Sequence, residues 1–173
     1  MNMELKPIKT RFRAYQLGEL GSSFSYFADG HFTLVEAKLT DRSYPSLVTE
    51  LAACGKTSID TLHITSWDQD HCDFKELQEI LSTLKPKKIE YPGYEHDSAN
   101  AKNCLQEILR YRDARRRAAL SMVARRIDPP FVKGLEEAKG LGYGDIYYHP
   151  REPFAGSNDN STVKLFRGGM FNV

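Results

Sequence analysis

The spacing of apolar residues divides the chain into predicted strands and helices. In some segments apolar residues alternate with polar ones or form short unbroken runs, and glycine, proline or small polar residues bound them, which is typical of β-strands. The predicted strands of the first half are residues 11–17, 22–27, 31–39, 59–64 and 88–91. Asp29-Gly30 separates the second strand from the third and favours a tight hairpin turn, because glycine tolerates positive φ.

Other segments carry apolar residues three and four positions apart, which predicts helices that each bury one face. The predicted helices are residues 44–55, 74–84, 99–127 and 131–139. Proline near the first helix start and Gly55 at its end are typical boundary residues. Strand, helix and strand in succession predict a βαβ crossover and a parallel pair. We therefore expect an α/β protein with a mixed β-sheet and flanking helices.

The last third of the chain adds further predicted strands. Residues 145–150 form an apolar, aromatic run that ends in His149-Pro150. Residues 162–166 and 170–173 flank a glycine-rich turn and predict a β-hairpin. An Asn- and Ser-rich segment that contains Asn160 and Ser161 lies between these strands.

Candidate chemistry is concentrated directly after the apolar run 59–64. Asp68, Asp70 and His71 follow this strand within a short polar loop, beside Trp67, which we expect to be exposed. Two carboxylates and an imidazole are the ligand types that hold a divalent metal. Alternatively, Asp68 or Asp70 caps the following helix and His71 lies in its first turn, because Asp is a favoured N-cap residue. Capping accounts for only one of the two carboxylates.

The loop Ser66-x-Asp68-x-Asp70-His71 resembles the His-x-His-x-Asp-His loop of the metallo-β-lactamase fold. The likeness is closer to the hydrolase domain of ComEC-type competence proteins, where the pattern is often His-x-Asp-x-Asp-His. Ser66 departs from both patterns. The resemblance implies one domain over residues 1–173 with the N-terminal portion of the αββα fold and a basic helical insertion at 99–140. Because the family's domain continues beyond the part that residues 1–173 match, the resemblance implies one of three alternatives: the sequence is truncated, a second chain or self-association completes the fold, or the second half has been lost.

The resemblance further implies a metal-dependent hydrolase that acts through a metal-bound hydroxide. The implied metal ligands are Asp68, Asp70, His71 and His149, with Asp68 and Asp70 as catalytic residues. Such an oxygen-rich set suits Zn²⁺ or Mn²⁺, and Mg²⁺ as well. For His149 the alternative is a histidine on the rim of the site. Asn160 and Ser161 match the family's segment near the substrate and are expected to bind it.

Charge adds a candidate substrate class. The net charge is only +1, so bulk electrostatics predict no polyanionic partner. Within the predicted helix 99–127, however, arginines are concentrated, and arginine binds phosphate bidentately. The candidate substrate-binding arginines are Arg110, Arg115, Arg116 and Arg117. A solvated helix face is the alternative.

These observations leave two functions open. The first is a phosphodiesterase, in particular a nuclease, whose substrate is nucleic acid or another phosphodiester. The second is a catalytically degenerate binding or scaffold domain of the same fold, which Ser66 favours. Three cysteines without a paired framework, no signal peptide and no apolar run of about 18 residues predict a cytoplasmic protein that does not enter the membrane.

Three further residues carry expectations of their own. Glu36 lies in the third predicted strand and corresponds to the acidic residue that the family commonly has at the end of its third strand, but a solvent-facing strand carboxylate is the favoured interpretation. His63 lies within the strand before the loop and is expected to be a core histidine. His96 is a candidate substrate contact on the loop after residue 91, although an exposed histidine before a cap at Asp97 or Ser98 is preferred.

Overall fold

The computed structural model describes residues 10–137, 146–148, 160–165, 167–168 and 171–172. A six-stranded sheet forms its centre, and the strands lie in chain order. They are β1 (Arg11–Ala14), β2 (Phe24–Ala28), β3 (His31–Val35), β4 (Thr61–His63), β5 (Lys88–Pro92) and β6 (Val123–Ile127). Strands β1 to β3 are antiparallel, whereas β3 to β6 are parallel. The predicted α/β class with a mixed sheet and flanking helices is confirmed.

Three helices connect the parallel strands. They are α1 (Tyr44–Ala53), α2 (Phe74–Thr83) and α3 (Ala99–Arg117), and α4 (Pro129–Glu137) follows β6. The three connections step across the sheet in the same direction, so right-handed crossovers place all three helices on one face. A single apolar cluster contains residues of all three helices and of the central strands; among its fully buried members are Phe32, Leu34, Leu62, Leu77, Ile80, Ile89 and Ile108. None of the helices within the described ranges is long and apolar enough to cross a membrane.

Helix boundaries follow local chemistry. Helix α1 has proline in its first turn, and Gly55 adopts a φ of +68° just after its end, as expected for a helix C-terminus. The N-cap of α2 is Asp73, whose side chain accepts hydrogen bonds from the backbone N–H groups of Lys75 and Glu76. The alternative that Asp68 or Asp70 caps this helix is therefore wrong. Neither the Asp68 nor the Asp70 carboxylate is used as a helix cap, so both can contribute to a site in the loop after β4.

The predicted helix 99–127 is wrong in its second half. Helix α3 ends at Arg117, Ala119 takes a left-handed φ of +55°, and β6 begins at Val123. Strand β6 pairs in parallel register with β5 along its whole length. In the sequence, Arg125 and Arg126 continue the charged pattern of the preceding helix. In the structure they are consecutive residues of a strand, so their side chains point to opposite faces of the sheet. Within the predicted helical insertion 99–140, residues 123–127 thus add a strand to the sheet.

Short strands occur in the C-terminal part. β7 (Ile146–Tyr148) confirms the centre of the predicted strand 145–150, and it pairs antiparallel with β8 (Val163–Leu165). The predicted hairpin between 162–166 and 170–173 is wrong in its first strand, because β8 pairs with the aromatic strand β7 instead. The hairpin partners are the two-residue strands β9 (Arg167–Gly168) and β10 (Phe171–Asn172).

Asp60, just before β4, joins three parts of the fold and gives a pH-dependent prediction. Its carboxylate accepts hydrogen bonds from Lys56 Nζ at 2.6 Å, Lys87 Nζ at 2.9 Å and Phe32 N at 2.9 Å. Burial raises the pKa of this carboxyl, but the hydrogen bonds from Lys56, Phe32 and Lys87 outweigh it and lower the pKa from 3.8 to about 2. We expect Asp60→Asn to lower the free energy of unfolding by about 1–3 kcal/mol at neutral pH, because charged hydrogen bonds are lost.

Urea unfolding of both proteins across pH tests this expectation. A folded-state pKa below the unfolded one stabilises the fold above the unfolded pKa, and the stabilisation is lost as the pH falls through the folded pKa. The difference between Asp60→Asn and the unmodified protein should therefore vanish as the pH falls to about 2. The exposed Asp41→Asn should show no difference at either pH. A pH-independent difference for Asp60→Asn would contradict the electrostatic origin.

Candidate functional site

The loops after β3, β4 and β5 meet at one edge of the sheet. The carboxyl ends of parallel strands share an edge, and ligands of open α/β sheets bind outside it. Glu36 follows β3, residues 64–73 follow β4, and residues 93–98 follow β5. Polar side chains from three separate chain segments therefore converge at this edge.

Glu36 is the buried anchor of the site. Its side chain accepts hydrogen bonds from Thr65 N at 3.1 Å and from Thr65 Oγ1, and its own N–H donates to His63 O at 2.8 Å. Only 3% of Glu36 is exposed, so the expected solvent-facing carboxylate is wrong. The reason is local: Glu36 has a φ of +71°, which ends β3 and turns the residue toward the β4 loop. Non-glycine residues at positive φ occur in turns, as at Asp29 and Ala119, and also cluster at functional sites.

His71 lies between Glu36 and Asp70. Its Nδ1 is 3.2 Å from Glu36 Oε1, and its Nε2 is 3.7 Å from Asp70 Oδ2. The contact with Glu36 raises the pKa of His71 above its ordinary value; burial opposes this, and the charges of Asp70 and Asp68 add to it. A histidine that ligates a metal through one nitrogen usually has its other nitrogen on a carboxylate or carbonyl. Glu36 lies within ion-pair distance of His71 Nδ1, although their orientation does not complete a hydrogen bond, and Nε2 lies on the side of Asp70.

Asp68 belongs to a second group of contacts. The Tyr94 hydroxyl accepts a hydrogen bond from Trp67 N at 2.9 Å and lies 3.0 Å from Ser66 Oγ, which donates to Asp68 Oδ2 at 3.0 Å. His96 Nε2 lies 3.5 Å from Asp68 Oδ1. Burial raises the pKa of the Tyr94 hydroxyl, so it stays protonated as a donor. Ser66, which stands where the resembling family has its first histidine, is fully buried in this network.

Four neighbouring residues were each expected to be exposed, buried or a helix cap. Trp67 is only 3% exposed, so its predicted exposure is wrong; its Nε1 donates to Tyr94 O at 3.3 Å. His63 is confirmed as a core histidine, with Nδ1 3.0 Å from Glu90 Oε2. Ser98 caps α3, as one alternative expected. His96, expected to be exposed, is instead partly buried against Asp68.

The other predicted site residues are placed unequally. Asn160 is buried, and the neighbouring Thr162 N donates to Thr65 O at 3.0 Å, so this segment adjoins the β4 loop. The predicted substrate-binding arginines lie in the second half of α3, and their contacts are local: Arg110 pairs with Glu107, and Arg115 stacks on Tyr111. His149, the fourth predicted ligand, lies outside the described residues.

Two functional contacts escaped sequence reasoning. The Tyr94 hydroxyl contacts both Ser66 and Trp67, which lie 28 and 27 residues earlier in the chain. No local sequence pattern encodes a contact at this separation. Arg126 donates through Nε to Gly93 O at 2.9 Å and so borders the β5 loop. Because the sequence placed Arg126 on a long helix, its position at the strand ends could not be inferred.

The donor atoms permit a partial test of metal binding. Two carboxylate–imidazole pairs are present, Asp70 with His71 and Asp68 with His96, and each separates O and N by less than 4 Å. An ion about 2.0–2.2 Å from each atom fits within such a pair. Over the described ranges, however, no group of three or more Asp, Glu, His or Cys side chains is arranged to hold a metal. A complete centre therefore requires a donor beyond these pairs.

No protein-family model matches this sequence, and no curated protein matches it significantly. The candidate site is therefore defined by the geometry at the strand ends alone.

Proposed function

We propose that this chain is a divalent-metal-dependent hydrolase of phosphodiesters, in particular a nuclease, with the metallo-β-lactamase fold of ComEC type. The observation that carries the proposal is the buried Glu36 that orients His71, whose Nε2 lies beside Asp70. A buried carboxylate on a backbone of positive φ is costly for a fold. Its presence behind a histidine suits a metal site better than a purely structural role.

In this proposal Asp70 Oδ2 and His71 Nε2 hold the divalent cation, and Glu36 fixes the ring of His71. The bound cation would lower the pKa of a water molecule and polarise a phosphate oxygen. Asp68 then serves as the proton acceptor beside this pair, and His96, 3.5 Å away, is placed to hold or pass the proton. Zn²⁺ and Mn²⁺ both suit one carboxylate and one imidazole.

The fold part of the proposal is supported by the position of the helices. Helices α1 to α3 cover one face of the six-stranded sheet and share one core with it. An αββα sandwich has helices on the outer face of each sheet and packs the inner faces together. On the opposite face His63 and Glu90 are fully buried, so this face is covered as well.

The phosphodiester part is supported by the cations near the loop. Lys102 on α3 and Arg126 on β6 border the loop after β5, beside the Asp68 group. Arginine and lysine neutralise phosphate charge on substrates. The arginines of the second half of α3 would extend this surface along a polyanion, at 1.5 Å per residue of helix.

One observation favours the second candidate, a catalytically degenerate binding or scaffold domain. Ser66 Oγ is occupied by Asp68 and Tyr94, and Ser66 is fully buried. A side chain that replaces the family's first histidine and is sealed into the protein supplies no ligand. In a binding or scaffold domain, the loop after β4 would have only a structural role in the connection between β4 and β5.

Metal content and hydrolysis measured together separate the two candidates. The protein is purified without chelator, its metals are quantified by elemental analysis, and hydrolysis of bis(p-nitrophenyl) phosphate is followed before and after chelation. We expect near-stoichiometric Zn or Mn, with hydrolysis that chelation removes and added metal restores. Folded, metal-free protein that stays inactive after Zn²⁺ or Mn²⁺ is added would establish the scaffold.

A further inference from the structure

A cleft of about 340 Å³ adjoins the candidate site. It lies between the loop after β5 and helix α3, and its volume is in the range of small-molecule sites, about 300–1,000 Å³. Its lining is mainly apolar and aromatic: Trp67, Tyr91, Tyr94, His96, Leu105 and Leu109. The proposed hydrolytic chemistry uses His96 at one end of this lining and gives no role to its apolar part.

The cleft has two different walls. One wall is aromatic: the Tyr94 and His96 rings are 6.3 Å apart between centroids and tilted by 58°, and those of Trp67 and Tyr91 are 5.9 Å apart and tilted by 41°, with Trp67 itself only 3% exposed. The other wall is aliphatic, formed by Leu105 and Leu109 of α3. Planar rings are bound by stacking on aromatic side chains with apolar contacts on the opposite side. This lining therefore selects a flat, aromatic group.

Charged groups define the rim. Arg126, with 55% of its side chain exposed, and Lys102, with 59%, both border the cleft. Two carboxylates, Glu95 and Asp97, also lie there, and Asp97 is 3.5 Å from Lys102 Nζ. Arg126 Nε lies 3.4 Å from Asp128 Oδ2, so a phosphate would compete with a carboxylate for either cation, and the rim carboxylates are acceptors for amino or hydroxyl groups. A nucleotide carries all of these groups together with a flat ring.

The cleft and the candidate site share residues. His96 lines the cleft, and its Nε2 lies 3.5 Å from Asp68 Oδ1. Trp67 lines it too and directly precedes Asp68 in the chain. A phosphodiester attached to a ring held between the two walls would therefore lie on the side of Asp68.

We propose that this cleft binds the nucleobase of the nucleotide whose phosphodiester is cleaved. The proposal rests on the proposed function and narrows its substrate class to nucleotides and single-stranded nucleic acid. Stacking requires an unpaired base, because a base within a duplex is already stacked on both faces. Base identity has little influence on such binding, since every base has a π-face.

Trp67 provides a direct readout, because it is the one tryptophan in the sequence. The intact chain, treated with chelator to prevent hydrolysis, is titrated with adenosine 5′-monophosphate while tryptophan fluorescence is followed. Ribose 5-phosphate, which lacks the base, is the matched ligand control. A single-stranded hexa-adenylate, added as a competitor, shows whether a base within a strand enters the same cleft.

A variant and its control locate the binding. Leu109→Phe fills the cleft, whereas Gln106→Phe introduces the same side chain at an exposed position of α3. We expect adenosine monophosphate to bind at least about tenfold more tightly than ribose 5-phosphate, and Leu109→Phe to weaken it by about tenfold. Gln106→Phe should bind as the unmodified protein does, and hexa-adenylate should compete.

The outcomes separate this proposal from the proposed function. Equal binding of the two phosphates overturns the nucleobase assignment without any variant, and so does unchanged affinity in a folded Leu109→Phe. Failure of hexa-adenylate to compete overturns the assignment to nucleic acid. Metal-dependent hydrolysis without base binding would contradict the nucleobase assignment and support the proposed hydrolase. Base binding without hydrolysis would support the nucleobase assignment and contradict the hydrolase.

Discussion

His71→Ala should reduce metal-dependent phosphodiester hydrolysis by at least about 100-fold in kcat/KM, since a metal contributes several kcal/mol to the transition state. The physical reason is the loss of Nε2, which lies 3.7 Å from Asp70 Oδ2 and is the nitrogen donor of that pair. Asp70 alone retains a single carboxylate, which is too few donors for a specific ion. The measurements are the bound metal per chain and the rate of bis(p-nitrophenyl) phosphate hydrolysis.

His31→Ala is the matched control. His31 begins β3, at the end of the sheet away from the loops, and its Nε2 contacts Thr61 Oγ1 at 2.9 Å. This variant should keep metal and activity and show only a modest change in melting temperature. Full metal content and activity in a folded His71→Ala would sink the assignment of His71 as a ligand.

Glu36→Gln should weaken metal binding by about 10–100-fold, the usual effect of removing a carboxylate behind a ligating histidine. Glutamine preserves the shape and can still accept from Thr65, whose N–H is 3.1 Å from Glu36 Oε2. It loses the negative charge that faces His71 Nδ1. Metal affinity is measured by calorimetric titration of the chelator-treated protein.

A second readout identifies Glu36 as a positioning residue. The contact with Glu36 raises the pKa of His71, so Glu36→Gln should lower the pKa of that imidazole in the metal-free protein. NMR titration of the imidazole signals measures this shift. The exposed Glu79→Gln on α2 should change neither the pKa nor the metal affinity. An unchanged His71 pKa in Glu36→Gln would mean that the two side chains do not interact in solution.

The sheet and its crossovers could be predicted because apolar spacing reports them directly. Before each of α1, α2 and α3, a short apolar run ends in a turn, and a helical repeat then follows. The preference for βαβ crossovers predicts that the two strands flanking each helix are parallel. Strand β6 was missed for the opposite reason. Val123 to Ile127 carries two arginines on an edge strand, so its pattern matches a solvated helix as well as a strand.

The site was only half predictable. The loop with Asp68, Asp70 and His71 was found because all three residues lie within four consecutive positions of the sequence. The burial of Glu36 depends on one backbone dihedral, a φ of +71°, which its sequence neighbours do not signal. Tyr94 reaches Ser66 across 28 positions, so only the folded sheet brings them together.

The order of the six strands also bears on how the chain is made. Each strand pairs with the one synthesised before it, so every new strand finds its template already in place on the ribosome. The antiparallel pairs β1–β2 and β2–β3 close first over short loops, at low entropic cost. Each helix then emerges before the strand that it delivers. The sheet can therefore grow from its N-terminal edge without long searches, and Glu36 is in place before the loop that carries His71 emerges.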